Sequence, residues 1–181
     1  MDFDSAQYWF QFYHRHPEPA RICEMLQLAD SFGLLSSTTE FARHVFKDHS
    51  EMVTHWIDLF DQIHDQASFL RILWLVDIEE TRSFLNTYAK DSKWTDFINR
   101  NFSEKPIETE HYIVGDDPRV LDHLWSAFFA TGHKKYIIKI LNVAIGESDS
   151  IIKMAAVWSL KSNAKQDTVV AEILQKEGFH L

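Results

Sequence analysis

The stretch Gly115–Gly132, GDDPRVLDHLWSAFFATG, decides the fold class. Its opening, Gly115-Asp116-Asp117-Pro118, offers two carboxylates that can accept from the free amides of a first helical turn. The proline that follows has the fixed φ such a turn needs. Arg119, Asp122, His123 and Ser126 then recur at spacings of three and four, forming one narrow polar strip. Val120, Leu121, Leu124, Trp125, Phe128 and Phe129 fill the positions between them. This is a helical period with apolar residues on most sides, so the helix is expected to sit between layers. Gly132 ends it.

Downstream, Ile137, Ile140, Leu141 and Ala144 mark one face of a second helix, and Lys135, Lys139 and Asn142 its wet side. Ile151 to Leu160 is almost continuously apolar, with small Ala155, Ala156 and Ser159 permitting close helix contact. Trp158 is therefore expected in the core with Trp125. Val169, Val170, Ile173 and Leu174 build a last helix that Gly178 terminates. Residues 117–175 are predicted to hold four helices packed as two hairpins.

Upstream the same period repeats. Asp4 or Ser5 can cap a helix carrying Tyr8, Trp9, Phe12 and Tyr13, and Pro19 suits the start of the next. There Ile22, Met25, Leu26 and Ala29 fall at i, i+3, i+4 and i+7, and Gly33 closes the helix. Ser37 and Glu40 have capping-box spacing ahead of Phe41, Val45 and Phe46. Asp48 or Ser50 starts a helix whose Val53, Trp56, Ile57, Phe60 and Ile63 keep the period for three turns. Phe69–Val76 is apolar nearly all round. Asp77 and Glu80 form another capping pair before Phe84, Leu85 and Tyr88, and Trp94, Phe97 and Ile98 mark a shorter helix. Ser103–Pro118 has no helical face, and so long a connection is functional, mobile or docked. If docked, Ile107, Tyr112 and Ile113 are expected to hold it.

No alternating segment flanked by hairpin turns competes, so the expected fold is all-α in a single domain, 1–181. The apolar faces beginning at Ile22, Val53, Thr81, Ile137 and Val170 are spaced by about 30 residues or twice that. Two architectures fit: stacked helical hairpins, as in an α-solenoid, or an irregular helical bundle.

The apolar share is 45% of 181 residues, enough for a core of its own. Cys23, the one cysteine, excludes an internal disulfide and is expected as a buried thiol. The acidic start, Met1-Asp2-Phe3-Asp4, lacks a signal peptide's basic region, and no apolar run approaches a membrane span. A cytoplasmic protein with no membrane association is expected. The net charge of −9 is unevenly placed: residues 1–118 carry 21 acidic against ten basic side chains, and residues 119–165 carry three against seven. An acidic surface repels phosphate backbones, so nucleic acid is not an expected partner. The lysines of the basic part (Lys134, Lys135, Lys139, Lys153, Lys161 and Lys165) lack the interleaved exposed aromatics of single-strand binders.

Leu124–Gly132 (LWSAFFATG), Ala155–Gln166 (AAVWSLKSNAKQ) and the stretch Tyr13–Leu35 resemble an uncharacterised family of small bacterial all-helical proteins. The resemblance covers about a third of the chain. It implies a helical fold and a bacterial source, and it implies no activity.

Chemistry-bearing motifs are sparse. There is no nucleophile elbow, and five scattered glycines build no phosphate loop, so no cofactor is expected. Ten histidines raise the question of a metal. Glu51 with His55, and Asp61 with His64, could each share a helical face, and His44 and His49 lie close in sequence. No Glu-x-x-His pair recurs on a second helix as di-metal bundles require, so no metal site is expected. Glu51, Thr54, His55, Asp58, Asp61, Gln62 and Asp65 instead line up opposite the Val53–Ile63 core face as an acidic ridge. Glu51, His55, Asp58, Asp61 and Asp65 are the candidate contacts for a basic partner. The function expected is a non-catalytic protein-interaction module, for example toxin-neutralising or an adaptor. The alternative is a hydrolase or metal-dependent enzyme assembled in space from His44, His55, His111, Asp116 and Asp117. The oligomeric state stays open.

Overall fold

Asp2, not Asp4 or Ser5, starts the first helix, because its carboxylate accepts from the Ser5 N–H at 2.9 Å. A computed structural model describes residues 2–91, 93–114, 117–146 and 151–179. Among them are eleven α-helices, five short 3-10 helices and no strand: the protein is all-α. The chain forms two compact units. One holds the residues up to Ile107 together with Phe129–Thr131, and the other holds Glu108–Phe128 and the residues from Gly132 onward.

In the first unit α1 (Phe3–Phe12) runs into a 3-10 turn that begins with buried Tyr13, while Tyr8 faces solvent. α2 (Ile22–Ser31) buries Ile22, Met25, Leu26 and Ala29, the face its spacing predicts. Gly33, at φ 70°, lets the chain turn out of it. The capping box expected at Ser37 and Glu40 does not form. The Ser37 hydroxyl donates back to the Leu34 carbonyl, and Glu40 turns inward to Arg43 at 3.2 Å.

α3 (Thr39–Asp48) buries Phe41, Val45 and Phe46. α4 (Glu51–Ile57) is short, and a separate 3-10 turn covers Phe60–Gln62. The three-turn helix expected here is thus broken after Ile57, although Val53, Trp56, Phe60 and Ile63 all still reach the core. Asp65 ends this segment by capping α5 (Gln66–Val76), accepting from the Ser68 N–H at 3.0 Å. The apolar run inside α5 is buried as expected, apart from exposed Arg71 and half-buried Trp74.

Asp77 closes α5 in the left-handed region at φ 52° rather than opening the next helix. That role falls to fully buried Thr81, whose hydroxyl pairs with both the N–H and the carbonyl of Ile78. α6 (Glu79–Asp91) and α7 (Thr95–Asn101) complete the unit.

Packing in this unit skips along the chain. α3 packs most extensively on α5 rather than on α4, α5 continues onto α6 and α6 onto α7, while α4 touches α2, α3 and α6. That is the pattern of an irregular bundle rather than of neighbouring hairpins stacked in order. Aromatic rings fill its centre. Trp56 stacks on Phe69 at 4.7 Å between centroids, and Phe60 meets Phe69, Phe84 and Tyr88 edge-on.

The connection from Ser103 is held by its main chain. Trp74 Nε1 donates to the Glu104 carbonyl and Arg43 Nη1 to the Ile107 carbonyl, both at 2.8 Å. In the second unit Lys139 Nζ donates to the carbonyls of Glu110 and Tyr112, each at 2.6 Å. The hydrophobic docking expected through Ile107 and Ile113 does not occur: both side chains face solvent, and Thr109 is the residue buried there.

α8 (Arg119–Thr131) begins beside Asp117, whose carboxylate accepts from the Arg119 N–H; Gly115 and Asp116 lie outside the described residues. α9 (Lys134–Ile145), α10 (Ile151–Gln166) and α11 (Thr168–Lys176) follow. The four helices expected over 117–175 are present, but α10 packs along both α9 and α11, and α11 also touches α9. These three surround one another instead of pairing off. Ile152, Ala156, Leu160 and Ala164 form the buried row of α10, each four residues from the last. Trp125 is buried at 6% exposure, as expected, whereas Trp158 is 72% exposed and not a core residue.

Candidate functional site

The acidic ridge follows from the local chain path. Val53, Trp56, Phe60 and Ile63 turn inward, so the residues between them turn outward. Glu51, Thr54, His55, Asp58, Asp61 and Gln62 are all exposed. Between Lys47 and Arg71 there is no lysine or arginine to answer these carboxylates. The ridge is an acidic face on a bent segment, α4 plus a 3-10 turn, and not one straight helix side.

Its two expected side-chain pairs are replaced. Glu51 lies 3.4 Å from the His49 ring, and His64 leaves Asp61 for Asp30. Asp65 is half-buried and occupied at the start of α5, so this candidate contact is committed elsewhere. The pKa of Tyr88 is raised first by burial and then by the charge of Asp61.

Asp30 was given no role by its spacing, yet it organises the ridge's far end. Its buried carboxylate accepts from the backbone N–H groups of His64 and Asp65, at 2.8 and 2.9 Å, and faces the His64 Nδ1 at 2.8 Å. Burial alone pushes this acid up. The two backbone donors and the His64 ring outweigh it and hold the carboxyl below its ordinary range. His64 itself stays exposed, so the pair ties down a loop rather than lining a pocket.

The enzyme candidates are placed as follows. His44 lies 3.6 Å from Glu40, inside the cluster that includes Arg43. His55 is on the exposed face of α4, and His111 is exposed beside Glu110. Asp117 is held by Arg119, whose hydrogen bonds keep its carboxyl below the usual range; Asp116 lies outside the described residues. Among the described residues no three His, Cys, Asp or Glu side chains stand close enough to hold a metal ion. Cys23 is buried, and burial raises its thiol to about 12. No helix among the described residues is long and apolar enough to cross a membrane.

Two further features escaped the sequence reading. With the 152/156/160/164 row inside, Ile151, Met154 and Trp158 of α10 fall outside as one stripe, 81, 65 and 72% exposed. Lys161 and Lys165 continue the stripe at helical spacing and are exposed, with half-buried Lys153 beside it. The near-continuous apolar character of the segment hid which side was which. The small residues Ala156 and Ala164 were the signal, since close packing selects them for the inner row.

The second feature is a pair of grooves in the first unit that share Trp74 and Phe102, whose rings stack at 5.3 Å. One groove, of about 230 Å³, is lined in part by the Asp77–Arg82 ion pair at 2.8 Å. The other, of about 370 Å³, lies between α5 and α7.

The chain matches no protein-family model, no curated protein and no solved structure with which it was compared.

Proposed function

We propose that this chain is a non-catalytic protein-interaction module of the adaptor kind, offering two recognition faces of opposite character. The observation that carries the reading is the outward stripe of α10. Ile151, Met154 and Trp158 lie on one helix face in water, and an exposed tryptophan beside other large apolar side chains marks the centre of many protein interfaces. Lys153, Lys161 and Lys165 stand around it, so charge complementarity selects an acidic amphipathic segment as its partner. The second face is the ridge of Glu51, His55, Asp58 and Asp61, exposed and with no lysine or arginine between Lys47 and Arg71. It suits a basic protein, the arrangement by which an adaptor recruits such a partner or a neutralising protein masks a basic toxin. Trp158 is exposed beside Lys161 and Lys165, so these lysines do not lack an exposed aromatic as expected; the aliphatic Ile151 and Met154 next to it favour a protein surface over a strand that stacks its bases.

The test is affinity capture with the full chain and two surface variants, Met154→Ser/Trp158→Ser and Asp58→Asn/Asp61→Asn. Each variant is expected to lose a different subset of the proteins retained by the unaltered chain. The subset lost with the Asp variant should be basic and should associate more slowly as salt rises. Identical retained sets for all three chains, with each variant folded by circular dichroism, would overturn the reading.

A further inference from the structure

The groove between α5 and α7 has a composition foreign to its surroundings. Residues 1–107 carry 17 acidic and ten basic side chains, yet the groove is lined by one cation, Arg71, and by no carboxylate. Arg71 is exposed, and its guanidinium has no ion pair or hydrogen bond among the described residues. Asp65, six residues before it, is occupied in capping α5. The wall beside Arg71 is aromatic. Trp74 stacks on Phe102 with planes 18° apart, and Phe97 meets Phe102 edge-on at 5.4 Å. The Trp74 ring is held by its hydrogen bond to the Glu104 carbonyl. Ser68 and Asn101 add a hydroxyl and an amide to the lining, and Asn101 is oriented by donating to the Phe97 carbonyl. At about 370 Å³ the space is at the lower end of small-molecule sites.

A planar fork of unanswered positive charge next to a rigid aromatic wall recognises a specific chemistry. We propose that this groove is a binding site for a small aromatic carboxylate. Its carboxylate pairs with both edges of the Arg71 guanidinium, and its ring lies against Trp74, Phe97 and Phe102. Arginine is required for the two-point contact, and lysine supplies only a point charge. The site is independent of both interaction faces above.

Naphthalene-2-carboxylate is the probe, titrated into the full chain and followed by calorimetry and by amide chemical shifts. Naphthalene-2-carboxamide tests shape without charge, and cyclohexanecarboxylate tests charge without an aromatic face. The carboxylate is expected to bind with Kd of about 1 mM or tighter, and both analogues about tenfold or more weaker. Arg71→Gln, a surface change that leaves the fold intact, should remove that advantage over the carboxamide, and Arg71→Lys should restore part of it. Ala67→Trp, which fills the groove, should abolish binding of all three. Shift changes should centre on α5 and α7. No binding of the naphthoate at about 10 mM would overturn the proposal. So would equal affinity in the unaltered chain and in the Arg71→Gln variant, or shift changes confined to another part of the chain.

Discussion

The Tyr13 hydroxyl lies in the core with no hydrogen-bond partner among the described residues, while its ring meets Trp9 and Phe41 edge-on. Burial first, and then the charges of Asp48 and Glu18, push its pKa up to about 12. A buried polar group left unpaired costs about 1–3 kcal/mol, so Tyr13→Phe is expected to hold stability or raise it by about 1 kcal/mol in urea unfolding. A loss above about 1 kcal/mol would mean that the hydroxyl has an ordered partner. Asp30 works in the opposite sense. Its folded pKa lies below the ordinary 3.8, so it stabilises the fold above that pH, and the contribution is lost as pH falls through the folded value. Asp30→Asn should cost about 1–3 kcal/mol at pH 7, and the gap to the unaltered chain should narrow below about pH 4. A gap constant with pH would exclude a charged Asp30. The inward face of α2 could be read from spacing because the four residues that make it lie within eight positions. The Asp30–His64 contact could not, because its partners are 34 residues apart and each also fits an ordinary surface role.

At the scale of elements, α3 is joined to the following connection by charge. Arg43 is fully buried, contacts Glu40 at 3.2 Å and donates to the Ile107 carbonyl. Arg43→Ala removes the guanidinium from beside buried Glu40, leaving the His44 ring at 3.6 Å, and is expected to cost about 3–5 kcal/mol. Replacing both partners, Glu40→Leu with Arg43→Met, should cost much less, since an apolar pair needs no desolvation of ions. Equal losses for the single and double changes would show that the Ile107 contact, not the ion pair, carries the energy. Helix identity was legible wherever apolar spacing was regular, as in α2, α3 and α9. Helix ends were less so: Asp2 holds a first-turn amide of α1 where Asp4 was equally plausible by residue type, and Thr81 holds the Ile78 amide just ahead of α6 where Asp77 was. Caps depend on side-chain rotamer and chain path, which composition does not specify. α10 was legible as a helix but not in its orientation, because apolar residues lie on nearly every side of it.

On the scale of the whole molecule, the all-α class followed from the repeated 3.6 period, but the order of packing did not. Nothing local tells α3 to choose α5 over α4; that choice rests on how Phe46, Trp56 and Phe69 fit together in three dimensions. Charge distribution has a global consequence as well. The excess of carboxylates in the first 118 residues repels itself, and salt screens such exposed charges once the Debye length falls from about 30 to about 8 Å. The unfolding midpoint is therefore expected to rise between about 10 and 150 mM salt. Asp58→Asn/Asp61→Asn should be at least as stable as the unaltered chain and should respond less to salt. A midpoint that falls with salt would mean that attractive pairs dominate the surface.

The tethers on the connection act on carbonyl oxygens, at Glu104, Ile107, Glu110 and Tyr112, and carbonyls are common to every amino acid. The backbone path at these four points is therefore encoded elsewhere, in Trp74, Arg43 and Lys139, and the exposed side chains of Ile107 and Ile113 take no part in fixing it. Over evolutionary time such a segment can change its residues faster than the helices around it and keep its shape. For an engineer, Ile107 and Ile113 are sites where a tag, an epitope or a new contact residue can be written in without redrawing the backbone, provided buried Thr109 is left alone.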